Sequence, residues 1–439
     1  MPKPRRVMFI STHGYVSGEV EFGKPDTGGQ VVYVLELAKC IARFGYQVDI
    51  FTRRFEDQPE QEDVAPGVQI LRAPCGGDAF IPKETLCDSI PEWVENAAEM
   101  IEARGAEPYL FINSHYWDAG LAGQGLSRRL GVPHLHTPHS LGAWKRENMD
   151  GEPEALEKQY NFKRRVKEER IVFHDCEAII ATTTQQRDIL LEEPDYDVPR
   201  DKVHVVPPGY DDTRFFPVST ATRQALKAQY GYEGRIVLAV GRIARNKGYD
   251  LLIKAMQKVC HRHEDVKLLL AIGSTEPNKQ EQEMVKEFKT LAQKLGIGKR
   301  VIFQDYIPDE ALPDYYRLCD VFALSSRYEP FGMTAVEAMA CGAATVVTTE
   351  GGLWERLDWG LNALYANPFD EFEYGSAIHH VLQHERLSQQ ISRNGSHRAR
   401  ADFTWIGIAQ QIVRIAKAPA FQIEDEDATV HQPGVVAPT

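Results

Sequence analysis

Long apolar runs are missing from this chain. No stretch approaches about 18 apolar residues, so nothing in it is expected to span a membrane. The apolar run VMFIS behind the basic start MPKPRR is also too short for a secretory signal. Paired cysteines are missing as well: Cys40, Cys75, Cys87, Cys176, Cys260, Cys319 and Cys341 are scattered and form no C-x-x-C. An odd, dispersed set argues against a disulfide frame or a zinc site and for buried thiols in a reducing compartment. There is no excess of positive charge. Sixty-three acids against fifty bases leave −13, a poor footprint for nucleic acid or an anionic membrane. No G-x-G-x-x-G closes the first apolar run in VMFISTHGYVSGEV, which removes the signature of a Rossmann dehydrogenase. The chain reads as a cytoplasmic protein with no nucleic-acid or membrane partner.

What is present is ordinary globular composition, 43% hydrophobic and 26% charged, in 439 residues. At about 150 residues per domain, that length suggests two or three domains. Short apolar runs at 7–12, 47–52, 68–73, 110–114, 134–137, 178–182 and 203–207 alternate with helical spacing such as Val31, Leu35, Ala38 and Ala42. After Pro207-Pro208-Gly209 the alternation restarts, with runs at 235–241, 267–273, 301–306, 321–326 and 344–349 and helical segments at 247–260 and 279–295. Strand–helix alternation predicts parallel sheets with helices on both faces. The fold class is therefore α/β: two doubly wound, Rossmann-like domains, 1–208 and 209–403, hinged at the Pro-Pro-Gly and binding ligands at strand carboxyl ends that face a common cleft. A helix over about 404–418 is expected to pack back on the first domain, and 419–439 reads as a mobile tail. Asp425, Asp427 and Thr429 in that tail fit the D-x-D-x-T of haloacid dehalogenase-type phosphatases, but no domain follows them, so the match is assigned to chance.

The strongest chemical signal is SSRYEPFGMTAVEAMACG, 325–342, directly after an apolar strand. Pro330 and Gly332 break the chain and a helix begins near Met333. Such a junction presents backbone N–H groups and a positive helix end to a phosphate. Glu329 and Glu337, about two turns apart, are placed to grip hydroxyls of a sugar and a ribose, although Glu337 alone could be a surface acid. In AVGRIARNKGYD, Arg242 offers a planar fork and Lys247 a point charge, both suited to a diphosphate at the end of the second domain's first strand. Gly28 and Gly29 stand at a helix entry where a ligand could approach the backbone, while capping by Asp26 or Thr27 explains the same string. His115, His136 and His139 sit at strand ends without an acid or cysteine at ligand spacing, so no metal site is read there. His139 and Ser140 lie beyond their strand, facing a polar substrate, whereas His134 and His136 pack within it. Lys145, Lys163, Arg164, Arg165 and Lys167 form a basic group that is either a solvated helix face or the seat of a phosphate-bearing acceptor.

The strings DTGGQVVYVLELA, TRRFEDQPE, INSHYWDAG, HTPHSLG, PPGYDD, NKGYDLL and SSRYEPFGMTA run from residue 12 to about 415. Together they resemble the retaining nucleotide-sugar glycosyltransferases of family 4, with the GT-B fold. Within that family they resemble the sucrose-phosphate synthases and the similar mannosylfructose-phosphate synthases. The resemblance implies a donor site of Gly28, Gly29, Arg242, Lys247, Glu329, Phe331, Gly332, Met333, Thr334 and Glu337, the four residues from Phe331 acting through backbone N–H groups. For fructose 6-phosphate it implies Gln30, Lys83, Tyr116, Ser140, Lys145, Arg164 and Arg165. The reacting centre would hold His139, Arg242, Lys247 and Glu329. The expected reaction needs no metal or other cofactor and moves glucose from UDP-glucose to fructose 6-phosphate, leaving a separate phosphatase to act on the product. GDP-mannose as donor is the alternative, and a non-catalytic sugar-phosphate binder is the alternative of another class.

Overall fold

The computed structural model describes residues 5–19, 24–105, 107–149, 151–273 and 277–416. The segment 419–439, with Asp425, Asp427 and Thr429, lies outside the described residues, as does the end of the helix expected over 404–418. The first sheet comprises β1 (Arg6–Ile10), β2 (Gln47–Arg54), β3 (Gln61–Ala65), β4 (Val68–Pro74), β5 (Tyr109–His115), β6 (His134–Thr137), β7 (Ala178–Ala181) and β8 (Val203–Val205). Their spatial order is β3-β4-β2-β1-β5-β6-β7-β8. The second sheet comprises β9 (Arg235–Val240), β10 (Val266–Ala271), β11 (Val301–Gln304), β12 (Val321–Leu324), β13 (Ala344–Thr348) and β14 (Leu364–Ala366), in the order β11-β10-β9-β12-β13-β14. Every pairing is parallel except β3 with β4. The expected parallel sheets are present, with this one antiparallel edge added. β3, QEDVA, is half-exposed and polar, and β14 is three residues long, so neither carries the apolar run by which a strand is recognised.

The central strands are continuous apolar runs because helices cover both faces. Val7 and Phe9 of β1 enter one core layer and Met8 and Ile10 the opposite one, all fully buried. In β9, Val237 and Ala239 face one layer and Ile236 and Leu238 the other. In each sheet the first strand pairs on both sides, β1 with β2 and β5, and β9 with β10 and β12. Strand order reverses there and opens a crevice beyond the carboxyl ends, the usual ligand position in such sheets.

The chain crosses between the two sheets twice, and the crossings run side by side. Tyr210 N–H donates to Phe403 O at 2.8 Å, and Tyr210 pairs with Thr404 in an isolated bridge. Gly209 is needed here because an added Cβ would stand 2.5 Å from Cδ2 of Trp405. Beyond that point the helix Trp405–Ala416 buries Trp405, Ile408, Ile412 and Ala416 against Val34 and Leu37 of the helix Gly29–Ala42. Each large apolar side chain so buried stabilises the arrangement by about 1.5–3 kcal/mol, so this helix ties the second half of the chain to the first. All seven cysteines are free and buried. No helix among the described residues is long and apolar enough to cross a membrane.

Candidate active site

The carboxyl ends of β1, β5 and β6 form one wall of the cleft. Tyr116 and His139 leave β5 and β6 with φ of 78° and 58°, backbone that residues with side chains rarely adopt and that recurs where a group is fixed for function. Arg165, on the helix Phe162–Asp175, is 4% exposed and organises this wall. Its Nε donates to Glu169 Oε1 at 2.7 Å, Nη1 to Tyr116 Oη at 2.9 Å, and Nη2 to Ser140 O and Oγ at 2.8 and 3.1 Å. Burial works against its charge, but the Glu169 carboxylate together with Tyr116 and Tyr196 lifts its pKa above the usual arginine value. Burial, with Arg165 and Lys83 nearby, pushes the Lys145 ammonium down to about 8. Lys83 pairs with Asp26. Gln30 Nε2 donates to Ser11 Oγ and His115 O, both at 3.2 Å, which turns its amide toward the β1/β5 crevice. Lys83, Tyr116, Ser140, Lys145 and Arg165 thus converge in a compact group of donors suited to a phosphorylated polyol.

Arg164 does not join them. One residue further along the helix it points about 100° away, is half-exposed and pairs with Asp88. Lys163 and Lys167 are exposed. The basic run is a solvated helix face except at Arg165.

The opposite wall is built from the ends of β9 and β12. Gly248 begins the helix Tyr249–Arg262 at φ 64°, and an added Cβ would meet Ser325 O at 2.1 Å, so the Lys247 loop lies directly on the segment that leaves β12 at Ser325. Lys247 Nζ donates to Glu329 Oε2 at 2.6 Å, and Ser326 Oγ donates to the same oxygen at 2.9 Å. Glu329 is held in place by its own N–H, which donates to Glu350 O at 2.9 Å. Arg242 is exposed and, among the described residues, has no ion-pair partner. Phe331 turns its ring into the core against Phe403, and Gly332 caps the helix Met333–Ala340 at φ 102°. The first N–H groups of that helix, from Met333 and Thr334, have no carbonyl within the helix to bond and are available to an anion.

Glu337, one turn along the same helix, is not a surface acid. Burial pushes its carboxyl up to about 7 although the Tyr316 hydroxyl donates to it at 2.9 Å. It lines a cavity of about 300 Å³ at the crossing between the sheets, shared with Gly29, Arg214, Met333 and Trp405. The structure therefore brings Gly29 to the Glu337 side of the cleft. An added Cβ at Gly28 or Gly29 would meet nothing within 4 Å, so the space over these glycines is open to a ligand. Capping does not explain them: Gly28 itself is the cap, Asp26 holds Lys83, and Thr27 Oγ1 accepts from Tyr15 N.

Two domain families match the chain in tandem, Glycosyltransferase Family 4 over residues 27–214 and Glycosyl transferases group 1 over 223–398; the Sucrose synthase first GT-B domain also matches 1–48. Mannosylfructose-phosphate synthase of Agrobacterium fabrum is 50% identical over 432 residues, 98% of this chain and 94% of the relative. The chain belongs to glycosyltransferase family 4. D-inositol 3-phosphate glycosyltransferase of Corynebacterium jeikeium is 31% identical, covering 93% of this chain and 96% of that protein. The solved sucrose-phosphate synthase of Thermosynechococcus elongatus superposes with a TM-score of 0.77 at 29% identity, covering 94% of this chain and 98% of that one. The two sheets facing one cleft are thus the GT-B fold.

This family 4 glycosyltransferase has site groups that sequence reasoning passed over. His13, at the end of β1, contacts both carboxylate oxygens of Asp118 at 2.9 and 3.0 Å, and Thr12 Oγ1 donates to Asp118 at 2.6 Å. His13 in turn packs against Tyr116, whose ring it meets edge-on at 4.7 Å. The signal was available, since STHG and HYWDAG each follow an apolar strand. Across the cleft, Trp144 and Tyr328 stack with centroids 4.0 Å apart and planes at 24°. Trp144 adjoins Lys145 and Tyr328 adjoins Glu329, but a contact between residues 184 positions apart has no local pattern to reveal it.

Proposed function

We propose that this glycosyltransferase moves a mannosyl group from GDP-mannose to fructose 6-phosphate, giving mannosylfructose phosphate and GDP with retention at the sugar's anomeric carbon. The observation that carries the reading is the pairing of two anion seats across one cleft. Lys83, Tyr116, Ser140, Lys145 and Arg165 suit a sugar phosphate, while Arg242, Lys247 and the helix beginning at Met333 suit a diphosphate. The relatives' names agree in kind, each being that of an enzyme of a phosphorylated sugar or cyclitol. Mannose is favoured over glucose by the 50% identity to a mannosylfructose-phosphate synthase. UDP-glucose, the donor expected from sequence, is the second reading, supported by the structural match to a sucrose-phosphate synthase.

In this reading Glu337 takes the ribose hydroxyls and Glu329 the hydroxyls of the transferred sugar. The acceptor's anomeric hydroxyl oxygen bonds to the donor's anomeric carbon as the bond from that carbon to the diphosphate oxygen breaks. The hydroxyl proton leaves with the departing diphosphate. Arg242, Lys247 and the helix N-terminus stabilise the charge that develops there, so the reaction is assigned to protein electrostatics without a metal. The test offers fructose 6-phosphate with GDP-mannose, UDP-glucose, ADP-glucose and GDP-glucose, and follows nucleotide release and disaccharide-phosphate mass. The highest kcat/KM is expected with GDP-mannose. A higher value with UDP-glucose transfers the assignment to sucrose phosphate, and no disaccharide phosphate from any donor refutes both.

A further inference from the structure

His115 makes no contact with the cleft, yet its ring is bonded directly to the histidine that does. Nδ1 of His115 lies 3.0 Å from Nε2 of His139. His115 is fully buried among Phe9 and Tyr33, whose ring centroids lie 5.3 and 5.7 Å away, and its Nε2 has no hydrogen-bond partner among the described residues. Tyr33 also meets His139 edge-on at 4.9 Å, which fixes the second ring against the first. His139 is half-buried and lines a cavity of about 90 Å³ with Ser140, Lys145 and Pro330, between the two anion seats.

A bond between two neutral imidazoles needs one N–H and one lone pair, which leaves two arrangements. Burial lowers both rings, His139 to about 3, so both are neutral. If His139 carried the proton on Nε2, His115 would accept at Nδ1 and its own proton would sit on Nε2, an N–H buried among aromatic rings with no acceptor. If His115 carries the proton on Nδ1, the orphan is a bare lone pair. Buried N–H groups without an acceptor are rarer and costlier than unmet acceptors, so the second arrangement holds. Nε2 of His139 is then occupied as an acceptor, and its remaining nitrogen is a protonated Nδ1.

We infer that His115 is a positioning residue that fixes His139 as its Nδ1–H tautomer, so that His139 gives a hydrogen bond to an oxygen of the reacting sugar or its phosphate and does not act as a base. The part about the reacting oxygen rests on the proposed function; the tautomer does not. With no lone pair of His139 facing the substrates, the acceptor's proton must go to the departing diphosphate. His115 thereby deepens that mechanism from a group that touches no substrate.

The experiment is a long-range proton–nitrogen correlation spectrum of the full chain labelled with 15N-histidine, free of substrate at neutral pH, with His139 assigned by its loss in His139→Asn. Protonated Nδ1 and bare Nε2 on His139 are expected. The reverse pattern overturns the inference, whatever the enzyme turns over. His115→Asn keeps an N–H close to the position of Nδ1 and is expected to hold the tautomer with kcat within about threefold of the parent. His115→Phe keeps the ring volume without the donor and is expected to lower kcat about tenfold at unchanged acceptor KM. A parental kcat in His115→Phe with His139 still protonated on Nδ1 also overturns it. Should that variant not fold, the spectrum of the parent chain decides.

Discussion

Replacing Trp144 by alanine removes one half of the stack that joins the two walls of the cleft. Trp144 leaves the first sheet beside Lys145, and Tyr328 leaves the second beside Glu329, so the contact closes only when both substrate seats face each other. At 4.0 Å and 24° the rings are in near-parallel contact, an arrangement worth about 0.5–1.5 kcal/mol beyond the area it buries. Lost from the closed state alone, that energy lowers the closed-to-open ratio about 2- to 13-fold. Closure excludes water, so Trp144→Ala is expected to reduce transfer and raise hydrolysis of the nucleotide sugar by factors in that range. Tyr328→Ala should do the same, and the double variant should be no worse than either single one, because the same contact is lost each time. Tyr328→Phe keeps the ring face and should stay near the parent. The assay follows nucleotide release with and without fructose 6-phosphate, alongside solution scattering for the radius of gyration. Additive losses in the double variant, or an unchanged ratio of hydrolysis to transfer in Trp144→Ala, would refute the clasp.

Lys247→Ala and Glu329→Ala should each abolish transfer while leaving the circular dichroism spectrum and melting temperature close to the parent's, and near-normal turnover in both would remove the donor assignment. In the proposed reading Glu337 is ionised when it accepts two ribose hydroxyls, and its carboxyl is raised to about 7 by burial, so donor affinity should be full above that pH and fall as pH drops through it. Glu337→Gln should flatten that limb of a calorimetric titration. Lys145, lowered to about 8, is charged below that pH, so acceptor affinity should fall as pH rises through it, and Lys145→Met should abolish the dependence. Gly248→Ala forces a Cβ against Ser325 O at a positive φ and should cost about 1–3 kcal/mol, read as a lower melting temperature.

Both sheets could be read from the sequence wherever a strand is buried on both faces, because after their opening arginines β1 and β9 are uninterrupted apolar runs. β3 could not, since an exposed edge strand of Gln, Glu and Asp has the composition of a loop. Lys247 and Glu329 were legible because each lies where a strand ends and a helix begins, a junction that glycine and proline mark. Arg165 and Arg164 stand side by side in one basic run, and only the angle between successive helix positions decides that Arg165 is buried and Arg164 faces Asp88. His115 shows the other limit. A strand-end histidine was visible, but its role depends on which ring nitrogen lacks a partner, and that is set by Phe9 and Tyr33 from two other elements.

The net charge of −13 looks unsuited to two anionic substrates until the site's cations are sorted by their partners. Lys83 is bonded to Asp26, Arg165 to Glu169 and Lys247 to Glu329. A phosphate arriving at any of these exchanges one anion for another, so each contributes direction and hydrogen-bond geometry more than net attraction. Among the described residues, Lys145 and Arg242 have no ion-pair partner, one on each wall, and they supply the uncompensated charge. Salt should therefore weaken both substrates through these two residues first. Lys145→Met should remove most of the ionic-strength dependence of acceptor KM, and Arg242→Met that of donor KM. Removing the Lys83–Asp26 pair together, in Lys83→Met with Asp26→Asn, should lower acceptor affinity while leaving its salt slope nearly unchanged. A salt slope lost equally in all three variants would mean that the carboxylates do not screen their partners and that the sorting is wrong.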